Sequence, residues 1–504
     1  MPSPTLRPPA SGAVMRMYDP GGLGDCFLLA FPGPEADAER PARYVLVDCG
    51  VFNGTSGGAD RMRAVAADVV EATDGRLDVL VLSHEHWDHL SGFQWARQTF
   101  EDDLQIDEVW AAWTENPADP DAVRYQHELD AAFGTLTAAA ARMRASADDA
   151  LRAKAAEVEG VLGFMGFGAP DDDLKALADV RGRFAARRSL GTAKQMDLAL
   201  TLGDRVRYLD PTDAPRPIAD VPDVRVFVLG PPRDERFLRR SNPRGGEVYE
   251  HAFQADSPAP VLHGLADALR SDGPDPSAPF SLVEGVPLTD APTHDSTGSF
   301  FTRHYGMADG PDEGPAWRRI DDDWLGATEA LALQLDDDVN NTSLALAFEL
   351  ADGRVLLFPG DAQVGNWLSW HELSWDDDDD RTVTARDLLR RAALYKVGHH
   401  ASHNATLRDQ GLELMTDPDL VALIPVNEEQ AQRKEWAMPF PPLYARLQER
   451  CAGRVLRADT KVPDRPPGVS EPAWQSFLDR IEVDTDGLWV QVEIPAGPRP
   501  TGPG

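Results

Sequence analysis

Cysteine is almost missing from this chain: three in 504 residues, at Cys26, Cys49 and Cys451. That excludes a disulfide framework and a Cys-rich zinc site. Cys26 and Cys49 lie in or beside apolar runs, so buried free thiols are expected there. No stretch approaches the roughly 18 consecutive apolar residues that a membrane helix needs. The opening from Met1 to Met15 is rich in Pro and Ser and lacks the apolar centre of a signal peptide, so it reads as a disordered leader. These absences fit a cytoplasmic protein with no membrane partner. Basic residues are scarce as well, 49 Lys and Arg against 84 Asp and Glu, for a formal net charge of −35. A surface this negative repels phosphate backbones over long range. It disfavours a general nucleic-acid binder, although metal ions and a local Arg cluster would offset it within one cleft.

What the chain does have is material for a large core, with 42% hydrophobic residues and a length that allows two to four domains. Apolar runs predict strands at Ala13 to Tyr18, Cys26 to Phe31, Tyr44 to Gly50, Leu77 to Leu82 and Ile106 to Trp113. Ala and Val at helical spacing predict a helix over 60–72. The run Leu77 to Leu82 is interrupted only by Asp78, so both of its faces are expected to be covered. Strands return at Asp204 to Tyr208, Val224 to Leu229, Thr342 to Leu350, Arg354 to Phe358, Leu394 to Gly398, Val421 to Val426 and Trp489 to Ile494. Strong helix formers over 127–195 predict a helical insertion. The Pro-, Gly- and Asp-rich segment 235–330 reads as a long irregular insertion, a candidate lid. Asp376 to Asp380 reads as a solvated loop rather than a metal site, since neighbouring carboxylates repel and point apart. Strands with helices between, repeated in two halves, predict an α/β fold of two mixed sheets face to face with helices outside. The main domain spans 14–460, with 461–495 as a C-terminal extension packed on it.

The chemistry concentrates in His84-Glu85-His86-Trp87-Asp88-His89. Only 12 residues of the chain are histidine, yet three of them fall in this hexapeptide, directly after a buried strand. Imidazole with carboxylate suits zinc, and less specifically manganese or iron. A loop at this point turns His84 and His86 toward one cation and Asp88 and His89 toward a second, with Glu85 and Trp87 pointing away. This is not the HExxH pattern, which needs a helix and a four-residue spacing. Asp361, leaving the strand Arg354 to Phe358, is the expected bridging carboxylate. Of the doublet His399-His400, His399 is taken as the ligand and His400 as substrate-facing, with the two open to exchange. Lys396, His400 and His403 are candidates for stabilising developing negative charge or assisting a leaving group, and Lys396 reads equally well as a surface residue.

These motifs resemble the metallo-β-lactamase fold superfamily, whose H-x-H-x-D-H signature is matched by His84, His86, Asp88 and His89. More narrowly, the chain is similar to the metal-binding domain of ComEC competence proteins and their soluble relatives. Gly22-Leu23-Gly24-Asp25, Asp48-Cys49-Gly50, Asn340-Asn341-Thr342-Ser343, Gly360-Asp361 and Tyr395-Lys396-Val397-Gly398-His399-His400-Ala401-Ser402 stand where that branch has its motifs. The likeness covers residues 14–110 and 340–460 and leaves both insertions unmatched. It implies a four-layer αββα sandwich, one or two Zn²⁺ ions (Mn²⁺ as the substitute), and attack by a metal-bound hydroxide that Asp88 helps to orient. Three departures stand out. Gly230-Pro231-Pro232-Arg233 occupies the place where many members supply another histidine, as proline commonly does in ComEC-like sequences; His294 or His304 could fill the gap, though each reads better as an ordinary loop histidine. Tyr395 replaces leucine, and Ala401 replaces glycine.

The implied activity is a metal-dependent hydrolase acting on phosphodiesters. The alternatives are hydrolysis of a small ester, lactone, β-lactam or phosphorylated metabolite, or a metal-bearing scaffold for a partner protein. An arginine-lined groove would favour nucleic acid, and a closed apolar pocket would favour a small substrate.

Overall fold

The computed structural model describes residues 5–497 except 36, 38, 146–148, 167–191, 219–220, 242, 244–245, 250–292, 295–296, 306–327 and 377–381. The chain divides into two compact units, one of residues 1–130, 163–254 and 336–504, the other of 131–162 and 255–335.

The first unit contains two sheets. Eight strands form one: β1 (Gly12–Tyr18), β2 (Phe27–Pro32), β3 (Ala42–Val47), β4 (Arg76–Val81), β5 (Gln105–Ala112), β6 (Gly203–Leu209), β16 (Ile481–Val483) and β17 (Trp489–Pro495), in the order β16-β17-β1-β2-β3-β4-β5-β6. Seven form the other: β7 (Arg216–Ile218), β8 (Val221–Gly230), β9 (Ala345–Glu349), β10 (Val355–Phe358), β13 (Ala392–Lys396), β14 (Val421–Ile424) and β15 (Val455–Arg457), in the order β15-β14-β13-β10-β9-β8-β7. A separate hairpin joins β11 (Ser374–Asp376) to β12 (Thr382–Thr384). The segment 461–495 thus contributes two strands to the first sheet, with β17 hydrogen-bonded along the whole length of β1.

Side chains alternate across these strands, as a period of two requires. In β2, Phe27, Leu29 and Phe31 face the second sheet while Leu28 and Ala30 face outward. Phe27 meets Phe358 edge-on at 5.7 Å between ring centroids, and Phe31 lies 6.0 Å from Phe348. Outside the first sheet, the helices Gly58–Thr73, Trp87–Trp95 and Arg97–Asp102 bury Met62, Val65, Val69, Leu90, Phe93 and Phe100. Outside the second, Val364–Trp370, Ala385–Arg390 and Pro441–Arg450 bury Trp367, Trp370, Leu388, Leu389, Leu443 and Leu447. The layers are helix, sheet, sheet, helix, the arrangement expected from the sequence. Asp78, the one acidic residue of β4, is buried, pairs with Arg40 at 2.7 Å and accepts the Tyr44 backbone N–H at 2.8 Å.

Two expectations need correction. The N-terminal segment is packed from Leu6 onward: this residue is buried, its N–H donates to Ala72 O, and its carbonyl accepts from the Tyr44 hydroxyl. An apolar anchor in a proline-rich stretch suffices to hold it. In addition, Trp87-Asp88-His89 is not loop but the first turn of the helix Trp87–Trp95. There Asp88 gains from the positive end of the helix dipole.

The described part of the second unit is helical. It includes the end of Pro120–Arg144, the helix Asp149–Leu162 and the helix Gly298–Tyr305. Arg144 pairs there with Glu159. The rest of the expected helical insertion (167–191), much of the candidate lid and Asp377 to Asp380 lie outside the described residues. The helix Thr328–Asn340, which the sequence reading left as irregular chain, closes the second insertion.

Candidate metal centre

Topology brings the chemistry to one end of the sandwich. Strands β3, β4 and β5 run parallel, as do β10, β13 and β14. The residues after them, Asp48, His84 to His89, Asp361, His399-His400 and Pro425, therefore gather at their C-terminal ends. Strands β2 and β9 run antiparallel to β3 and β10, so Asp25 and Asn340 to Ser343, which precede them, arrive at the same end. Leu344 N–H donates to Ser83 O at 2.8 Å and stitches the sheets together there.

The loops interlock through backbone. Asp25 N–H donates to Asp88 O, Gly50 N–H to Asp25 O, and Cys49 N–H to His89 O. A Cβ on Gly50 would sit 2.4 Å from the Asp88 carbonyl carbon, so the Asp48-Cys49-Gly50 motif needs its glycine for this close approach. Asn341 Oδ1 accepts the N–H groups of Gln363 and Asn366, and Ser343 Oγ accepts that of Asp361 at 3.0 Å. The Asn-Asn-x-Ser motif thus clamps the loop that carries Asp361.

Within this frame His84, His86, Asp88, His89, Asp361 and His400 are all buried. His84 Nε2 lies 3.1 Å from His86 Nδ1. Asp88 Oδ2 lies 2.9 Å from His400 Nε2 and 3.6 Å from His89 Nε2, which is 3.2 Å from Asp361 Oδ2. Asp88, His89, Asp361 and His400 each offer a ligand atom within 4.8 Å of the others.

The hydrogen-bond partners fix the tautomers. Pro425 O can only accept, so His400 Nδ1, at 2.6 Å, carries the proton. Asp48 Oδ2 accepts from His89 Nδ1 at 2.8 Å, and it also accepts from the Ser83 hydroxyl. With its proton committed to Asp48, Ser83 Oγ is an acceptor for His84 Nδ1 at 3.0 Å. In its neutral form, each of these rings keeps an Nε2 lone pair turned toward the cluster. His84 Nε2 and His86 Nδ1 facing each other at 3.1 Å, together with a buried Asp88 Oδ1 that has no partner, offer donors that a cation would satisfy. The donor set fits a divalent metal ion.

Electrostatics separate the rings into neutral and charged ones. Burial holds His84 well below the ordinary imidazole value and takes His86 down to about 3. Burial would also lower His89, but Asp361, Asp25, Asp88 and Asp48 outweigh it and hold this ring well above normal. Burial alone would raise Asp361; Lys396 and His89 overcome it and keep the carboxylate ionised.

The doublet is exchanged relative to expectation: His400 joins the cluster, while His399 turns its Nδ1 to Ser402 Oγ at 3.0 Å and gives its backbone N–H to Asp361 Oδ1 at 2.8 Å. Three consecutive residues with positive φ, His399 at 43°, His400 at 50° and Ala401 at 63°, swing the second ring inward. The glycine-to-alanine departure at 401 thus falls on a left-handed backbone, a strained choice for a residue with a Cβ. Nor is Lys396 at the surface. It is 2% exposed, and its ammonium is shared among Asp25, Gly360 O at 2.9 Å and Asp361 Oδ1 at 2.9 Å. Three acceptors use its three protons, so it positions Asp361 instead of meeting a substrate. Because Oδ1 of Asp361 is spent on Lys396 and the His399 N–H, only Oδ2 faces the cluster. His403 is half-buried near Phe440, with an unpartnered Nε2.

Glu85 and Trp87 point elsewhere: the Glu85 carbonyl accepts from the Thr192 hydroxyl, and Trp87 packs on Trp95. At the end of β8, Pro231 offers only its carbonyl, to Trp113 Nε1, and Arg233 pairs with Asp119 and Asp210. His294 and His304 are exposed members of the second unit. The sequence reading assigned no role to Asp25, Asp48 or Ser83. The first two already stood in its motifs, and their acid character was the available signal.

Beside Asn404 lies Asp337, whose carboxyl burial raises to about 6 against hydrogen bonds from Gln363, Ser241 and Asn404. An acid with a raised folded pKa loses stability as pH climbs from its unfolded value toward the folded one. Asp337→Asn, which keeps an acceptor oxygen, is therefore expected to be more stable than the parent by about 1–3 kcal/mol above pH 6. The difference should vanish below about pH 4. Urea titrations at several pH values check this, and a pH-independent difference would contradict it.

Two stacked sheets with helices on both outer faces and a buried His/Asp cluster at the strand ends define the metallo-β-lactamase fold. The metallo-beta-lactamase superfamily model matches residues 38–180, which include the whole hexapeptide. No curated protein and no solved structure matches the chain. No helix among the described residues is long and apolar enough to cross a membrane.

Proposed function

We propose that this chain is a metal-dependent hydrolase of the ComEC-like branch, acting on phosphodiesters. The observation that carries the reading is the convergence of the buried side chains of His84, His86, Asp88, His89, Asp361 and His400. His84 Nε2 and His86 Nδ1 would hold one Zn²⁺, and Asp88, His89, Asp361 and His400 a second. Such ions lower the pKa of bound water and polarise a substrate oxygen. The residues of the chain keep the donors bare and aligned: Asp48, Ser83 and Pro425 hold the Nδ1 protons, while Lys396 neutralises Asp25 and Asp361. His403 is the remaining candidate for assisting a leaving group.

A second reading, hydrolysis of a compact substrate with a planar or apolar part, has an observation in its favour. Phe164 lies 5.8 Å from His86, stacks on Trp436 at 5.2 Å and meets Phe52 at 4.6 Å. Among the described residues, this gives the His86 side of the centre an aromatic wall. The full-length protein loaded with Zn²⁺ or Mn²⁺ is expected to cleave bis(p-nitrophenyl) phosphate and to lose that activity with a chelator. Turnover of an ester, lactone or β-lactam without turnover of the phosphodiester would move the assignment to the second reading. Tight metal binding without any hydrolysis would favour a scaffold.

A further inference from the structure

Among the clustered imidazoles, His86 is the exception. His84, His89 and His400 are each steered through Nδ1 by an acceptor at 3.0, 2.8 and 2.6 Å, respectively. His86 is turned the other way round, presenting Nδ1 to His84 and leaving Nε2 buried with no hydrogen-bond partner. Facing that nitrogen at 3.6 Å is Asp336 Oδ1, also buried and also without a partner. Asp336 is 7% exposed, and its other oxygen accepts from Asn340 Nδ2 at 3.1 Å, one turn along the same helix. That turn leads into the Asn340 to Ser343 clamp already tied to the Asp361 loop.

We propose that Asp336 is the positioning residue of His86, accepting its Nε2–H and so presenting Nδ1 as a bare lone pair to the cation shared with His84. The inference rests on the metal-centre reading above. Two buried polar atoms facing each other just beyond hydrogen-bond reach are each costly alone. A contraction of a few tenths of an ångström satisfies both. Asp336 then does for His86 what Asp48 does for His89, a carboxylate orienting a metal-ligating imidazole and raising its basicity. The need is greatest here. The strand end at Gly230-Pro231-Pro232 supplies no side-chain donor, so the direction of two rings governs how tightly this cation position holds.

The test compares the intact protein with Asp336→Asn and Asp336→Ala, read by Zn²⁺ calorimetry, bound-metal analysis and nitrogen NMR of ¹⁵N-histidine-labelled protein. The parent should bind two ions and show His86 as the Nε2–H tautomer. Asp336→Ala should weaken one of the two ions by about 10–100-fold and lose the single His86 tautomer, with unchanged circular dichroism. Asp336→Asn, whose amide oxygen still accepts an N–H, should recover most of both. Parent-like binding and tautomer in Asp336→Ala would overturn the proposal. So would equal loss in the two variants, since charge rather than an acceptor would then be required. A parent that binds no zinc would sink the metal-centre reading instead, and the tautomer spectra would still decide the role of Asp336.

Discussion

Asp361→Ala should abolish tight Zn²⁺ binding at both positions, weakening each by about 100-fold or more, and eliminate hydrolysis with it. The magnitude follows from what the carboxylate does. Oδ2 lies 3.2 Å from His89 Nε2 within the Asp88, His89 and His400 group, and Oδ1 holds Lys396 and the His399 N–H. Loss of residues that merely orient ligands costs about 10–100-fold in metal affinity, and Asp361 is both donor and organiser. Its removal also leaves Lys396 facing Asp25 and a carbonyl alone, so the metal-free variant should lose stability even though the core clusters are untouched. Equilibrium dialysis with zinc, followed by chemical denaturation in chelator, measures both effects. Retention of two ions at parental affinity would refute the assignment.

Lys396→Met carries the second large effect, and it reads the network without reference to activity. The methionine fits the volume but removes the one cation between two buried carboxylates. Breaking a buried pair from one side typically costs about 3–5 kcal/mol, a large share of a domain's total stability of about 5–15 kcal/mol. Asp25 suffers most. Burial already raises its carboxyl against the opposing pull of Lys396 and His89, and without the lysine it has no reason to stay ionised. The chelated variant should therefore unfold at clearly lower denaturant concentration than the parent. Adding Asp25→Asn should restore part of the loss, and saturating zinc should restore part by supplying positive charge. Identical unfolding midpoints for parent and Lys396→Met in chelator would show that the ammonium holds nothing.

Much of this was legible in the chain. The apolar runs gave the strands, because a strand covered on both faces must be apolar along its whole length. The hexapeptide gave the ligand types, because so many imidazoles beside a buried strand have few uses other than metal. Other features were not readable. The tautomers depend on Pro425 O, Ser83 Oγ and Asp48, contacts that arise only when separate loops converge. Sequence spacing treats His399 and His400 as equivalent; a left-handed backbone turn separates them. Lys396 looked like a surface residue beside a strand because its two partners are hundreds of residues away in the chain or on another loop. Asp336 was hidden among three consecutive aspartates ending an unrecognised helix, where charge suggested solvent.

By itself, then, the sequence determined the layered α/β architecture and the chemical identity of the donors, since both follow from local patterning and side-chain type. Only the tertiary structure decided which nitrogen of each ring faces inward, which histidine of the doublet joins the cluster and which charges neutralise one another. Those outcomes are set by distances of about 3 Å between groups remote in the chain, and no local pattern encodes them.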